Sequence, residues 1–217
     1  MPARMDPVHP LRYETLCGDA LRPLLPELGA LIFSVFRDWP YLYASDPAAA
    51  QSYLASYVDG SCPGAAIVVA FDGGLPVGAA TCQPMAHASP SVPNAFTAYG
   101  LEPARFCYLG EAVLLAPYRG RGAGVRFFAE REAHARRLGL DFAAFCAISR
   151  DSADPRKPAG YAPLHAFWRK RGYTPYPDLV CRLEWREIGA ARATPHYLSF
   201  WLKSLSGAAL PRSPCRP

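Results

Sequence analysis

The chain has 217 residues, 51% of them hydrophobic and 19% charged, a balance that supports one packed domain and excludes wholesale disorder. No apolar run approaches the ~20 residues that cross a bilayer, and the first residues lack the apolar stretch and cleavage site of a secretory signal, so a soluble, cytoplasmic protein with no membrane partner is expected. The net charge of +5 is spread along the chain without a basic stripe, which suits an anionic ligand and argues against nucleic acid.

Seven cysteines stand at 17, 62, 82, 107, 146, 181 and 215. Their odd number argues against a disulfide framework, and their spacing contains no CxxC pair, so no metal site is expected. Residues 1–10 and 207–217 are rich in Pro, Arg, Ser and Gly and read as flexible ends, leaving 11–206 as a single domain.

In chain order, Leu24 to Phe36 repeats apolar residues at helical spacing, and Asp46-Pro47 reads as the cap and first position of a second helix reaching about Tyr57. Ala66–Phe71 and Pro76–Cys82 are strand-like, joined by the Asp72-Gly73-Gly74 hairpin signal. Residues 84–104 read as a long connection. A βαβ unit follows: a strand from Phe106 to Leu115, a helix from Gly122 to Leu138 with Val125, Phe128, Ala129 and Ala133 on one face, and an apolar strand from Phe142 to Ile148. After a proline-punctuated loop, Ser149 to Pro163, come a short helix from Leu164 to Arg171 and two alternating strands, Leu179–Trp185 and Tyr197–Leu205. The sum is a mixed α/β sheet.

Between strand and helix lies Arg119-Gly120-Arg121-Gly122-Ala123-Gly124. The free N–H groups of a helix start, with the helix dipole, form an anion site, and glycines let the backbone approach the anion closely. The P-loop is excluded because no Lys-Ser/Thr follows the last glycine, and the dinucleotide fingerprint fails on glycine spacing. The remaining pattern resembles motif A of the GNAT acyltransferase superfamily, Gln/Arg-x-x-Gly-x-Gly/Ala. Phe167-Trp168-Arg169-Lys170-Arg171-Gly172-Tyr173 is similar to the Phe-Tyr-x-x-x-Gly-Phe stretch that closes many GNAT cofactor sites. The resemblance covers roughly residues 12 to 205.

The resemblance implies a largely antiparallel sheet with a central splayed parallel pair and flanking helices. It implies acetyl-CoA as co-substrate, with pyrophosphate on the N–H groups from Arg119 through Gly120, Arg121, Gly122, Ala123 and Gly124 to Val125. Val113 and Leu115 would offer backbone groups to the pantetheine arm, and Phe167 and Trp168 would close the site. Arg119 and Arg121 either add charge there or lie solvated on the surface. Glu111, the carboxylate within the strand expected to hold the thioester, is the candidate general base, directly or through one water. The tyrosine that protonates the departing thiolate in many members corresponds to Trp168, so that proton comes from Tyr161, from water, or from no dedicated acid. The Trp39-Pro40-Tyr41-Leu42-Tyr43 cluster either lines the acceptor pocket or fills the core, and His165 reads as a capping or surface residue. The implied activity is N-acetylation of a small-molecule amine, with a protein amine as a further option; the alternative is a non-catalytic acyl-CoA-binding module. A homodimer stays open.

Overall fold

The described part of the chain, in a computed structural model, is residues 10–44 and 46–211; the ends expected to be loose lie mostly outside it, at 1–9 and 212–217. Eight strands are assigned there: β1 (Arg12–Leu16), β2 (Ala66–Asp72), β3 (Leu75–Pro84), β4 (Phe106–Tyr108), β5 (Ala112–Leu114), β6 (Phe142–Ile148), β7 (Thr174–Trp185) and β8 (Thr194–Ser204). They form one sheet in the order β1-β2-β3-β4-β6-β8-β7, with β5 also on β3. Every pairing is antiparallel except β4 with β6. A single crossover, the helix between those two strands, accounts for the parallel pair.

Helices α1 (Leu25–Phe36), α2 (Pro47–Ala55) and α3 (Ser91–Ala98) lie on one face, α4 (Ala123–Arg137) and α5 (His165–Lys170) on the other. Strand β2 shows why both faces need cover. Its alternate residues Ile67, Val69 and Phe71 pack under α1 and α2, while Val68 and Ala70 pack with Phe127 of α4. A strand apolar on both sides is stable only between two layers. Asp46 caps α2 as its sequence requires, accepting from the Ala49 N–H at 2.7 Å. No helix among the described residues is long and apolar enough to cross a membrane.

Four expectations need correction. Strand β1 is absent from the sequence reading because its burial does not alternate; it gains its place from pairing with β2. The connection at 84–104 contains α3, whose Pro93 falls in the first turn, where no intrahelical N–H is lost, and whose Val92 and Phe96 are buried at i,i+4 spacing. On α4 only Phe128 of the four predicted face residues is buried. The true face includes Arg131, Glu132 and His134, polar residues satisfied by the Phe127 and Thr81 carbonyls, by Lys203, and by the Gly64 carbonyl, which an apolar count cannot detect. Finally, Phe106 to Leu115 is two strands, not one.

Candidate functional site

That break makes the site. Strand β4 pairs with β6 through Tyr108 and Ala144, and the Leu109 N–H still reaches the Ala144 carbonyl at 2.8 Å. Beyond it, β5 turns to β3, pairing Val113 with Ala79, while residues 145–148 of β6 pair with β8. The two strands therefore part, and a cavity of about 1290 Å³ runs between them from Gly124, Phe128 and Phe167 on one sheet face to Trp39 and Tyr161 on the other.

Strand alternation decides which backbone groups face this gap. The Leu115 N–H donates to the Val77 carbonyl at 3.0 Å, and the Glu111 carbonyl accepts from the Thr81 N–H at 2.9 Å. Residues 111, 113 and 115 thus turn to β3, so Val113 and Leu115 do not offer the backbone groups expected of them. Ala112 and Leu114 do, although the Leu114 carbonyl is already taken by Arg119 Nε at 3.1 Å.

The glycine loop is likewise narrower than its motif. The Arg119 N–H donates to Ala116 and the Val125 N–H to Gly122, so both termini of the predicted run are spent. From Gly120 to Gly124 the N–H groups have no acceptor among the described residues. Gly120 and Gly122 have φ of 77° and 84°, with open space where a Cβ would stand. The turn needs glycine there, and the space lets an anion approach the backbone. Gly124 lines the large cavity, where a Cβ would come within 3.2 Å of the Phe167 ring. The side chain of Arg121 lies over the Tyr118 ring, and Val125 is 39% exposed beside a second, shallow hollow of about 480 Å³.

Glu111 is fixed by residues that its local sequence does not reveal. Its Oε2 accepts from Tyr53 at 2.7 Å and from the Thr81 hydroxyl at 2.8 Å, while its N–H donates to Thr81 Oγ1 at 2.9 Å. Gly110 permits this approach, since a Cβ there would lie 2.6 Å from the same Thr81 oxygen. Oε1 accepts from no described residue. Tyr53 stays protonated: the residue is 40% exposed, but desolvation of the hydroxyl inside the cleft, then the Glu111 carboxylate, push it well above the usual phenol range. Behind Thr81 lies Arg131, whose basicity is reduced by burial.

At the other end, Trp39 packs edge-on to Tyr161 with ring centroids 6.0 Å apart, and Tyr41 and Tyr43 pack against Trp185. Of the cluster predicted as either pocket or core, Trp39, Pro40, Tyr41 and Tyr43 line the cavity, and all five residues are half-buried rather than part of the buried core. A partly buried ion-pair group holds the cluster. Arg150 binds the Pro40 and Tyr41 carbonyls and meets Glu187 at 2.5 Å, and Arg156 meets Glu187 and Asp154. Burial opposes charge on Glu187, but the two guanidiniums win and hold its carboxyl below the usual range. Nothing in the local sequence marks these partners. Tyr161 lines the cavity too, its hydroxyl pushed up by burial. Trp168 packs among Phe145, His165 and Trp201, and Tyr173 is buried and donates to Glu132.

No family model and no curated protein matches the chain. Solved structures do. A ribosomal-protein-alanine N-acetyltransferase from Brucella melitensis is 19% identical over 89% of this chain and 99% of its own, with a TM-score of 0.54. A GCN5-related N-acetyltransferase from Kribbella flavida is 18% identical over 89% and 97%, at 0.53. An aminoglycoside 6'-N-acetyltransferase complexed with coenzyme A is 15% identical over 92% and 98%, also at 0.53.

Proposed function

Because the chain has the GNAT fold, we propose that it is an N-acyltransferase that moves an acetyl group from acetyl-CoA to a primary amine by direct transfer. One observation carries this reading: the gap between β5 and β6 runs from the helix start at Gly124, the last of five backbone N–H groups without an acceptor among the described residues, to the carboxylate of Glu111. A backbone anion site and a fixed base at two positions along one channel suit an acyl donor with a diphosphate and an acceptor that must lose a proton.

The residues fit acetyl-CoA. Gly120 to Gly124 would hold the pyrophosphate, the backbone of Ala112 and the Leu114 N–H would pair with the pantetheine arm, and Phe167 and Trp168 would flank it. When bound, acetyl-CoA supplies an activated acyl carbon. Glu111, oriented through Oε2 by Tyr53 and Thr81, takes the proton of the acceptor ammonium at Oε1, since a lysine-like amine is mostly protonated below its pKa of ~10.4. The amine nitrogen bonds to the acyl carbon as the carbon–sulfur bond breaks, the thiolate takes a proton, and the new amide nitrogen gives up its second proton, which restores the donor's through water. Tyr161, a phenol whose pKa is raised further by burial, is our candidate donor of that proton; Trp168 has no acidic hydrogen to give. The acceptor is a small-molecule amine in this reading.

The test is an acceptor screen with acetyl-CoA and a thiol-detecting dye, run beside calorimetric binding of acetyl-CoA. Thiol release that depends on an added amine supports transfer. Binding without release across the screen leaves the non-catalytic acyl-CoA-binding module, and absence of binding sinks both.

A further inference from the structure

The acceptor end of the cavity has a chemistry of its own. Phe36, Trp39, Tyr41, Tyr43, Tyr161 and Trp185 all line it, contributed by three separate segments. Their rings meet edge-on or tilted, leaving a wall of ring faces and edges of the kind that receives another ring.

Charge narrows the occupant further. Among the described residues, three carboxylates line the cavity: Glu111, Asp151 and Glu184. Asp151 accepts from the Ala153 N–H of its own loop, and Glu184 is paired with Arg182 at 2.5 Å. Five cations line the same cavity: Arg131, Arg150, Lys157, Arg169 and Arg182. Arg150 is matched by Glu187 and Arg182 by Glu184, which leaves Arg131, Lys157 and Arg169 against Glu111 and Asp151, so ammonium groups beyond the first would meet more positive than negative charge, and like charges repel. Glu111 and Asp151 are both held only by neutral donors, and Glu111, held by Tyr53 and Thr81, is the one on the strand segment that borders the gap, so an incoming ammonium can complete it there.

Resting on the acyltransferase reading above, we propose that the acceptor is a monoamine carried on an aromatic body, with its nitrogen at Glu111 and its ring among Trp39, Tyr161 and Trp185. A polyamine or an aminoglycoside lacks the apolar body and brings too much positive charge. A protein side chain does not fill a wall of six aromatics.

The inference can be tested by binding, apart from turnover. The full chain, saturated with coenzyme A, is titrated by calorimetry with 2-phenylethylamine, n-butylamine, spermidine, kanamycin and a lysine-bearing peptide. The arylalkylamine should bind about tenfold more tightly than each of the others. Equal or tighter binding of spermidine, kanamycin or the peptide overturns the proposal, and so does failure of 2-phenylethylamine to bind while coenzyme A binds. Failure of coenzyme A itself counts against the acyltransferase reading instead. Trp39→Leu should weaken 2-phenylethylamine about tenfold and leave acetyl-CoA affinity unchanged. If that variant does not fold, Trp185→Leu makes the same test from another segment of the wall. Native arylalkylamine affinity in a folded variant of either kind removes the aromatic wall from recognition.

Discussion

The two ends of the cavity are built by opposite means. At the glycine loop the groups on offer are backbone N–H donors released by a helix start, with open space where a side chain would stand at Gly120 and Gly122. At the aromatic end the cavity is lined by Trp39, Tyr41, Tyr43, Tyr161 and Trp185, on a segment held by the charges of Arg150, Arg156 and Glu187. A backbone site needs a few adjacent residues in one conformation. A side-chain site needs distant segments brought together, and it can be rebuilt without disturbing its neighbour. On the proposed function, this division would let one scaffold keep its donor while its acceptor changes. The Brucella melitensis and aminoglycoside enzymes that share the fold are named for quite different acceptors.

Substitutions at the junction should have the largest effect. Glu111→Gln keeps shape and removes the base, so turnover should fall by ~10²–10⁴-fold near neutral pH with acetyl-CoA affinity retained. Much of the loss should return at high pH, where the amine is already deprotonated. A near-native rate at pH 7 with a good acceptor would remove Glu111 from the reaction.

Next comes the ion-pair group. Breaking a buried pair from one side leaves the other charge uncompensated, a loss of ~3–5 kcal/mol when no second partner exists. Glu187 retains Arg156, so Arg150→Met should cost less, about 2–3 kcal/mol in denaturant unfolding. The acceptor KM should rise while the acetyl-CoA dissociation constant holds. Equal damage to both ligands would erase the division between the ends.

A smaller effect is expected at the loop. Gly122→Val should weaken acetyl-CoA about tenfold, or ~1.4 kcal/mol, through its side chain in the anion's space. The positive φ adds strain of about 1–2 kcal/mol, so stability must be measured beside affinity. Lost stability with unchanged affinity would show the glycine to serve the turn alone.

The mildest test is pH. His196 stacks on Trp185 and lies 3.7 Å from Glu187; burial foremost lowers its pKa from the ordinary ~6.5. The unfolded chain then binds this proton first as pH falls, so stability should decline from about pH 6.5 until folded His196 also protonates. Glu187, with its pKa lowered, contributes stability above the ordinary carboxylate range of about 4.3 and loses it below. Thermal unfolding should show two declines, and His196→Gln should abolish the first. A single acid transition in both proteins would refute the assignment.

The glycine loop, its helix and the parallel crossover were legible in the sequence because each depends on neighbours in the chain: glycines at 120, 122 and 124, an apolar run at 142–148, a turn signal at 72–74. The family resemblance rests on those same local features. Tertiary structure alone decided the rest. That Ala112 and Leu114, not Val113 and Leu115, face the gap follows from the register of β5 on β3, which one residue of offset would reverse. That Glu111 is oriented by Tyr53 and Thr81, 58 and 30 residues away, and that Glu187 gathers Arg150 and Arg156, are facts of pairing across the chain. Hydrophobic period and helix-start chemistry are written locally, whereas the partner of a buried charge is set by whatever the fold places within ~3 Å of it.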